Sequence, residues 1–202
     1  VLASMGVADV SVRRRLRVAF FSTGDELRSA GEPLGPGDIY DSNRYTVHGM
    51  LARLGVEQVD LGVVRDTPQD VRSAFDEASQ NADVVISSGG VSVGDADYVT
   101  DMLREMGSVD FWKIAMKPGR PLTFGHVGQS VFFGLPGNPV SVMVTFYQFV
   151  QPALRKLMGE RAHETARMRV ALAAGIDKQP GRLEYQRGIL ETAPNGELMV
   201  RS

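Results

Sequence analysis

The sequence predicts an α/β protein with a mostly parallel sheet and helices on both faces, followed by a partial all-β domain. Three observations carry that reading. Runs rich in β-branched and aromatic residues alternate with stretches whose apolar residues recur at helical spacing. Polar and glycine-rich turns fall directly after the β runs, and from Thr165 onward the helical spacing gives way to short alternating segments. Strands joined by helices of this length form right-handed crossovers, which put the loops that follow the strands on one edge of the sheet. The boundaries read as 1–16 for the tail of a preceding unit or linker, 17–160 for the α/β domain, and 165–202 for the incomplete β domain.

Each element has a local reason. Arg17 to Phe21 is a β-rich run ending in the polar turn Ser22-Thr23-Gly24-Asp25-Glu26. Asn43 is the expected cap of a helix running to Leu54, with Val47, Met50, Leu51 and Leu54 on one face and Gly55 as its stop. Val56 to Val64 reads as strand. Thr67 caps the next helix, Pro68 takes its first position, and Val71, Ala74, Phe75 and Ala78 form its stripe. Asp83 to Ile86 is a short buried strand, followed by a glycine-rich loop at 87–94 and a helix from about Asp97 to Met106. Strands are then expected at 109–114, 122–125 and 130–133. Asn138 and Pro139 open a long helix ending near Gly159. In the last segment, Arg167 to Ala173 and Leu183 to Glu191 read as two strands.

The 202 residues hold Lys+Arg 22 against Asp+Glu 24, a formal net charge of −2, which argues against a nucleic-acid binder. Cysteine is absent, so disulfides, thiolate nucleophiles and cysteine-held zinc are excluded, and with three histidines any metal is held mainly by oxygen. No apolar stretch reaches membrane-spanning length and the start lacks a signal-peptide core, so a cytoplasmic protein without membrane contact is expected. The chain starts at Val1 and stops inside what reads as a strand, the expectation for an excised fragment.

Four groups of residues could carry chemistry. Ser87-Ser88-Gly89-Gly90-Val91-Ser92 lies between a buried strand and a helix, where backbone N–H groups and hydroxyls cradle a phosphate, although glycines that only permit a tight turn fit the same place. Pro136-Gly137-Asn138-Pro139 opens a helix whose N-terminus suits an anion, or is a capped start with no ligand. Asp25 and Glu26, then Asp66, then Asp95 and Asp97 follow three strands and would hold a hard cation such as Mg²⁺, unless Asp66 and Asp97 merely cap helices. Lys113, Lys117 and Arg120, stiffened by Pro118, Gly119 and Pro121, suit an oxyanion or form a solvated loop.

Together Ser22 to Leu27, Tyr40 to Asn43, Ser87 to Tyr98, Lys117 to Pro121 and Leu135 to Pro139 resemble the molybdopterin molybdenumtransferases, the molybdenum insertases related to the C-terminal domain of gephyrin. The resemblance implies a molybdopterin-binding domain that takes adenylylated molybdopterin, inserts molybdate and releases AMP with Mg²⁺ present. It gives Glu26, Asp66 and Asp97 metal and water handling. Lys113, Lys117 and Arg120 fall to substrate and molybdate, Pro136 and Pro139 belong to the family's Pro-Gly-Asn-Pro loop, and Arg187 is a molybdate contact. Thr23, Ser88, Gly89, Gly90, Ser92, Gly119, Gly137 and Asn138 complete the substrate-binding set. It also implies a homodimer with shared sites, a molybdopterin adenylyltransferase as pathway partner, and a fragment that binds without turning over. A sibling adenylyltransferase of the same fold and a non-catalytic scaffolding module are the alternatives.

Overall fold

A computed structural model describes residues 1–90, 98–161, 167–178 and 180–202. The chain runs through β1 (Arg17–Thr23), the two-residue strands β2 (Leu27–Arg28) and β3 (Ile39–Tyr40), α1 (Ser42–Leu54), β4 (Glu57–Val64) and α2 (Pro68–Asn81). It continues with β5 (Val84–Ser88), α3 (Tyr98–Met106), β6 (Gly107–Lys113), β7 (Met116–Lys117), β8 (Pro121–Val127) and β9 (Ser130–Leu135). After α4 (Pro139–Thr145) and α5 (Gln151–Leu157) come β10 (Ala171–Leu172), β11 (Leu183–Glu184), β12 (Ile189–Thr192) and β13 (Leu198–Arg201).

Six strands form the central sheet in the order β4-β1-β5-β9-β8-β6. The first four are mutually parallel, whereas β8 is antiparallel to β9 and β6 to β8. Two reversals make β6 run with β9, so β1, β4, β5, β9 and β6 all end on the same edge.

Strand β1 shows why its run is continuously apolar. Val18 and Phe20 pack on one face with Leu51, Val142 and Phe146. Ala19 and Phe21 point to the other, where Phe75 of α2 stands 5.8 Å from Phe21 and 5.2 Å from Phe132, ring centre to ring centre. A strand covered on both sides loses the polar half of the usual alternation. Between α4 and α5 the helix widens into a π turn at Phe146–Val150. Pro152 follows directly; it lacks an N–H and its ring clashes with the carbonyl four residues back, and the wider turn accommodates both.

Two expectations are corrected. Asp41, not Asn43, caps α1: its side chain accepts from the Arg44 N–H, which places Asn43 inside the first turn. The two C-terminal strands are shorter and broken. Only Ala171–Leu172 of 167–173 is strand, and 183–191 divides into β11 and β12, which belong to different sheets. β10, β13 and β12 form a small sheet of their own, but β11 pairs in parallel with β7, in the connection between β6 and β8. The C-terminal segment is therefore stitched to the α/β domain at residues 183–185.

Candidate functional site

The shared edge collects the segments 24–41, 65–67, 114–120 and 136–138, together with Gly89 and Gly90 after β5. Strand order then fixes their sequence along the rim. Acidic residues lie beyond β1 and β4, hydroxyls and glycines at the centre, the helix start of α4 next, and the cations beyond β6. Five strand spacings of about 4.8 Å separate β4 from β6, roughly 24 Å from the acidic end to the basic one. The acids and cations thus occupy opposite ends of one rim.

At the acidic end, the Asp66 N–H donates to Asp25 Oδ1 at 3.2 Å. Asp66 is not a helix cap, because Thr67 Oγ1 accepts from the Asp70 N–H and performs that task for α2. The Oδ1 of Asp66 is buried without a hydrogen-bond partner among the described residues. Burial, then the charges of Asp25 and Glu26, push the Asp66 carboxyl above its ordinary value. Glu26 is exposed and folds its carboxylate over Gly24, where a β-carbon would meet Oε2 at 2.7 Å. Beside them a cleft of about 580 Å³ is lined by Asp25, Arg28, Ser29, Glu32 and Arg65 among others.

Oxygen ligands and an orphaned buried carboxylate oxygen fit a hard divalent cation. Asp25, Glu26 and Asp66 are the carboxylates within electrostatic reach of that oxygen, but among the described residues no three acidic or histidine side chains form a ready ligand cluster. Asp95 and Asp97, like Ser92, lie outside the described residues.

The rim's centre is lined by hydroxyls. Ser22 and Thr23 end β1 beside Ser87 and Ser88 of β5; all four are buried, and among the described residues none of their side-chain oxygens has a hydrogen-bond partner. Gly89 and Gly90 have φ of 87° and 63°, and a β-carbon would approach Thr23 O to 2.4 Å at Gly89 and Thr23 Oγ1 to 2.7 Å at Gly90. The tight turn alone accounts for these two glycines. It does not account for the four hydroxyls, which the pleat divides between the two faces of the sheet edge, Ser22 and Ser88 on one and Thr23 and Ser87 on the other, as two pairs of polar groups that a ligand could engage.

At Pro136-Gly137-Asn138-Pro139, Asn138 Oδ1 accepts from the N–H groups of Val140 and Ser141, and Pro139 takes the first position of α4. Capping explains Asn138 and Pro139. Gly137 is exposed and has ordinary φ, and a β-carbon there would meet nothing within 4 Å, so the turn does not require glycine. Its carbonyl accepts from Asn43 Nδ2 at 2.7 Å, which ties α1 to this loop.

At the basic end, Lys113, Lys117 and Arg120 are exposed, and buried Gly119 packs against Thr145 and Met116. Lys117 pairs with Glu184 at 3.4 Å across the β7–β11 contact. Lys113 and Arg120 make no ion pair among the described residues. Arg187 is exposed, between β11 and β12. The structure adds Asn43 and Glu184 to the candidate residues; both act through long-range pairings that no local pattern reveals.

Residues 19–156 match the family model described as "Probable molybdopterin binding domain". The chain is 47% identical over 202 residues to a molybdopterin molybdenumtransferase of Haemophilus influenzae, covering 100% of this chain and 50% of that one. It is 47% identical over 163 residues to the Nostoc molybdopterin molybdenumtransferase, covering 79% and 37%. The crystal structure of the molybdopterin biosynthesis MoeA protein of Pyrococcus horikoshii OT3 superposes with a TM-score of 0.73 at 25% identity, covering 99% of this chain and 47% of that one. The chain spans about half the length of the Haemophilus relative. With the sheet order, the shared edge and these matches in agreement, the chain belongs to the molybdopterin binding domain family that the molybdopterin molybdenumtransferases share.

Proposed function

We propose that this chain forms the substrate-binding half of a molybdopterin molybdenumtransferase, which inserts molybdate into adenylylated molybdopterin and releases AMP. The observation that carries the reading is the polarity of the rim: carboxylates at one end, unpaired hydroxyls in the middle, cations at the other. A substrate that joins a phosphate-bearing half to a site of oxyanion delivery has the same polarity. Bound Mg²⁺ would neutralise phosphate charge at the acidic end. The carboxylates of Asp25, Glu26 and Asp66 orient water and phosphate there, with Asp97 as the fourth acid of the set. The hydroxyls of Ser22 and Ser88 on one face of the sheet edge, and of Thr23 and Ser87 on the other, donate to or accept from the substrate's centre together with the backbone around Gly89, Gly90 and Gly137; Ser92 belongs to this set by its place in the sequence. Lys113, Lys117, Arg120 and Arg187 hold and stabilise molybdate at the basic end. Work as a homodimer, supply by a molybdopterin adenylyltransferase and a cytoplasmic setting complete the proposal; among the described residues no helix is long and apolar enough to cross a membrane.

The test is calorimetric binding of adenylylated molybdopterin to this chain, with AMP release followed chromatographically in molybdate and Mg²⁺. Binding weakened by Asp66→Ala and by Lys117→Ala supports the reading, as does molybdate-dependent AMP release. Equal binding by both variants, or consumption of ATP with formation of the adenylylated pterin, overturns it.

A further inference from the structure

The C-terminal strand β11 meets the cation loop through three contacts. Leu183 N–H donates to Ala115 O at 3.0 Å and Tyr185 N–H to Lys117 O at 2.8 Å, which brackets Glu184 and sets it opposite Lys117 in the parallel register. The Glu184 Oε1 then reaches Lys117 Nζ at 3.4 Å. The other oxygen, Oε2, accepts from Gln186 Nε2 at 3.3 Å, so both oxygens are engaged. The partners are unequal: the Glu184 side chain is 17% exposed and that of Lys117 is 61% exposed. The acid is the fixed member and the ammonium the movable one.

We propose that Glu184 is an internal stand-in for the oxyanion at Lys117, a positioning residue that holds the ammonium at the rim and that an incoming tetrahedral oxyanion displaces. This rests on the reading of 113–120 as the oxyanion loop. A carboxylate and an oxyanion are alternative acceptors for the same three N–H donors, and each excludes the other through like charge. The hydrogen bond from Gln186, followed by Lys117, holds the Glu184 carboxyl below its ordinary value, so it is charged wherever the lysine is. Glu184 therefore sets the threshold for oxyanion binding.

The experiment is calorimetric titration of this chain with sodium molybdate, using wild type, Glu184→Gln, Lys117→Ala and the double variant. Glutamine keeps the backbone bonds and removes the competing charge, so Glu184→Gln is expected to bind molybdate about two- to fivefold tighter, the range set by an exposed ion pair. In the Lys117→Ala background the same change should have much less effect. Hydrogen exchange at Leu183 and Tyr185 should stay as in wild type. Unchanged or weaker binding by Glu184→Gln, while Lys117→Ala still weakens it, overturns the stand-in role alone. Loss of amide protection in Glu184→Gln also overturns it, because the acid would then hold the strand rather than the ammonium. No molybdate binding by wild type overturns both this inference and the reading it rests on.

Discussion

The backbone N–H of Asp66 donates to Oδ1 of Asp25 across 3.2 Å, joining the loop after β4 to the loop after β1. One carboxylate is thereby satisfied by a backbone group, while the Asp66 Oδ1 stays buried with no partner among the described residues. Burial and the charges of Asp25 and Glu26 raise the Asp66 carboxyl above 3.8. A raised value means that the folded chain favours the protonated form. Its stabilising contribution is complete below the unfolded value and is lost as pH rises through the folded one. Asp66→Asn removes the charge, so its urea midpoint should exceed that of wild type at pH 7 and converge with it near pH 3. An equal gain at both pH values would contradict the electrostatic account. Mg²⁺ should raise the melting temperature of wild type more than that of Asp66→Asn.

Gly89 and Gly137 separate backbone need from ligand access. At Gly89 an alanine would combine a φ of 87° with a contact of 2.4 Å to Thr23 O, and backbone at the end of β1 cannot yield. Gly89→Ala should cost about 2 kcal/mol or more in denaturant unfolding. Gly137→Ala meets nothing within 4 Å and should stay within about 0.5 kcal/mol of wild type. Under the proposed function it should still weaken adenylylated molybdopterin binding, since the methyl group stands on the exposed helix start. Normal binding by a stable Gly137→Ala would remove that loop from the site.

Asn138→Ala should cost about 1 kcal/mol, because it strips two N–H groups at the start of α4 of their acceptor. Its melting curve also illustrates what sequence alone can give. Asn138-Pro139 and Thr67-Pro68 are local signals: cap and proline are adjacent, and both appear as read. Asp41 and Asn43 compete for the same role within three residues, and only the tertiary contact of Asn43 with Gly137 decides between them. The single edge was legible because β–α alternation imposes it. The separation of acids from cations was not, because β6 and β8 enter the sheet by antiparallel pairing, which the alternation does not predict. Residues 183–191 read as one strand because Tyr185 and Leu190 share β-forming character with their neighbours. Their division between two sheets depends on partners far away in the chain.

Arg44 connects the acidic loop to the body of the domain. Its side chain is 12% exposed and lies between Asp41 at 3.4 Å and Asp60 at 2.9 Å, while Nη2 donates to Ser29 Oγ at 3.2 Å. Burial opposes its charge, yet Asp60, Tyr45 and Asp41 outweigh that and hold the guanidinium above its ordinary value. Arg44→Met keeps the length of the stem and removes the charge. Asp60 is partly exposed and can be rehydrated, but Asp41 is 2% exposed and would keep an uncompensated charge. The cost should therefore approach about 3 kcal/mol, the lower end for breaking a buried pair. Adding Asp41→Asn, which preserves an N-cap acceptor while removing the stranded charge, should restore part of the loss. If Asp41→Asn in the Arg44→Met background is as destabilising as it is alone, charge compensation at Asp41 is not what Arg44 provides. Because Ser29 loses its tether in both variants, faster hydrogen exchange across 25–32 should persist in the double variant even where stability recovers, which separates positioning of the acidic loop from charge balance beneath it.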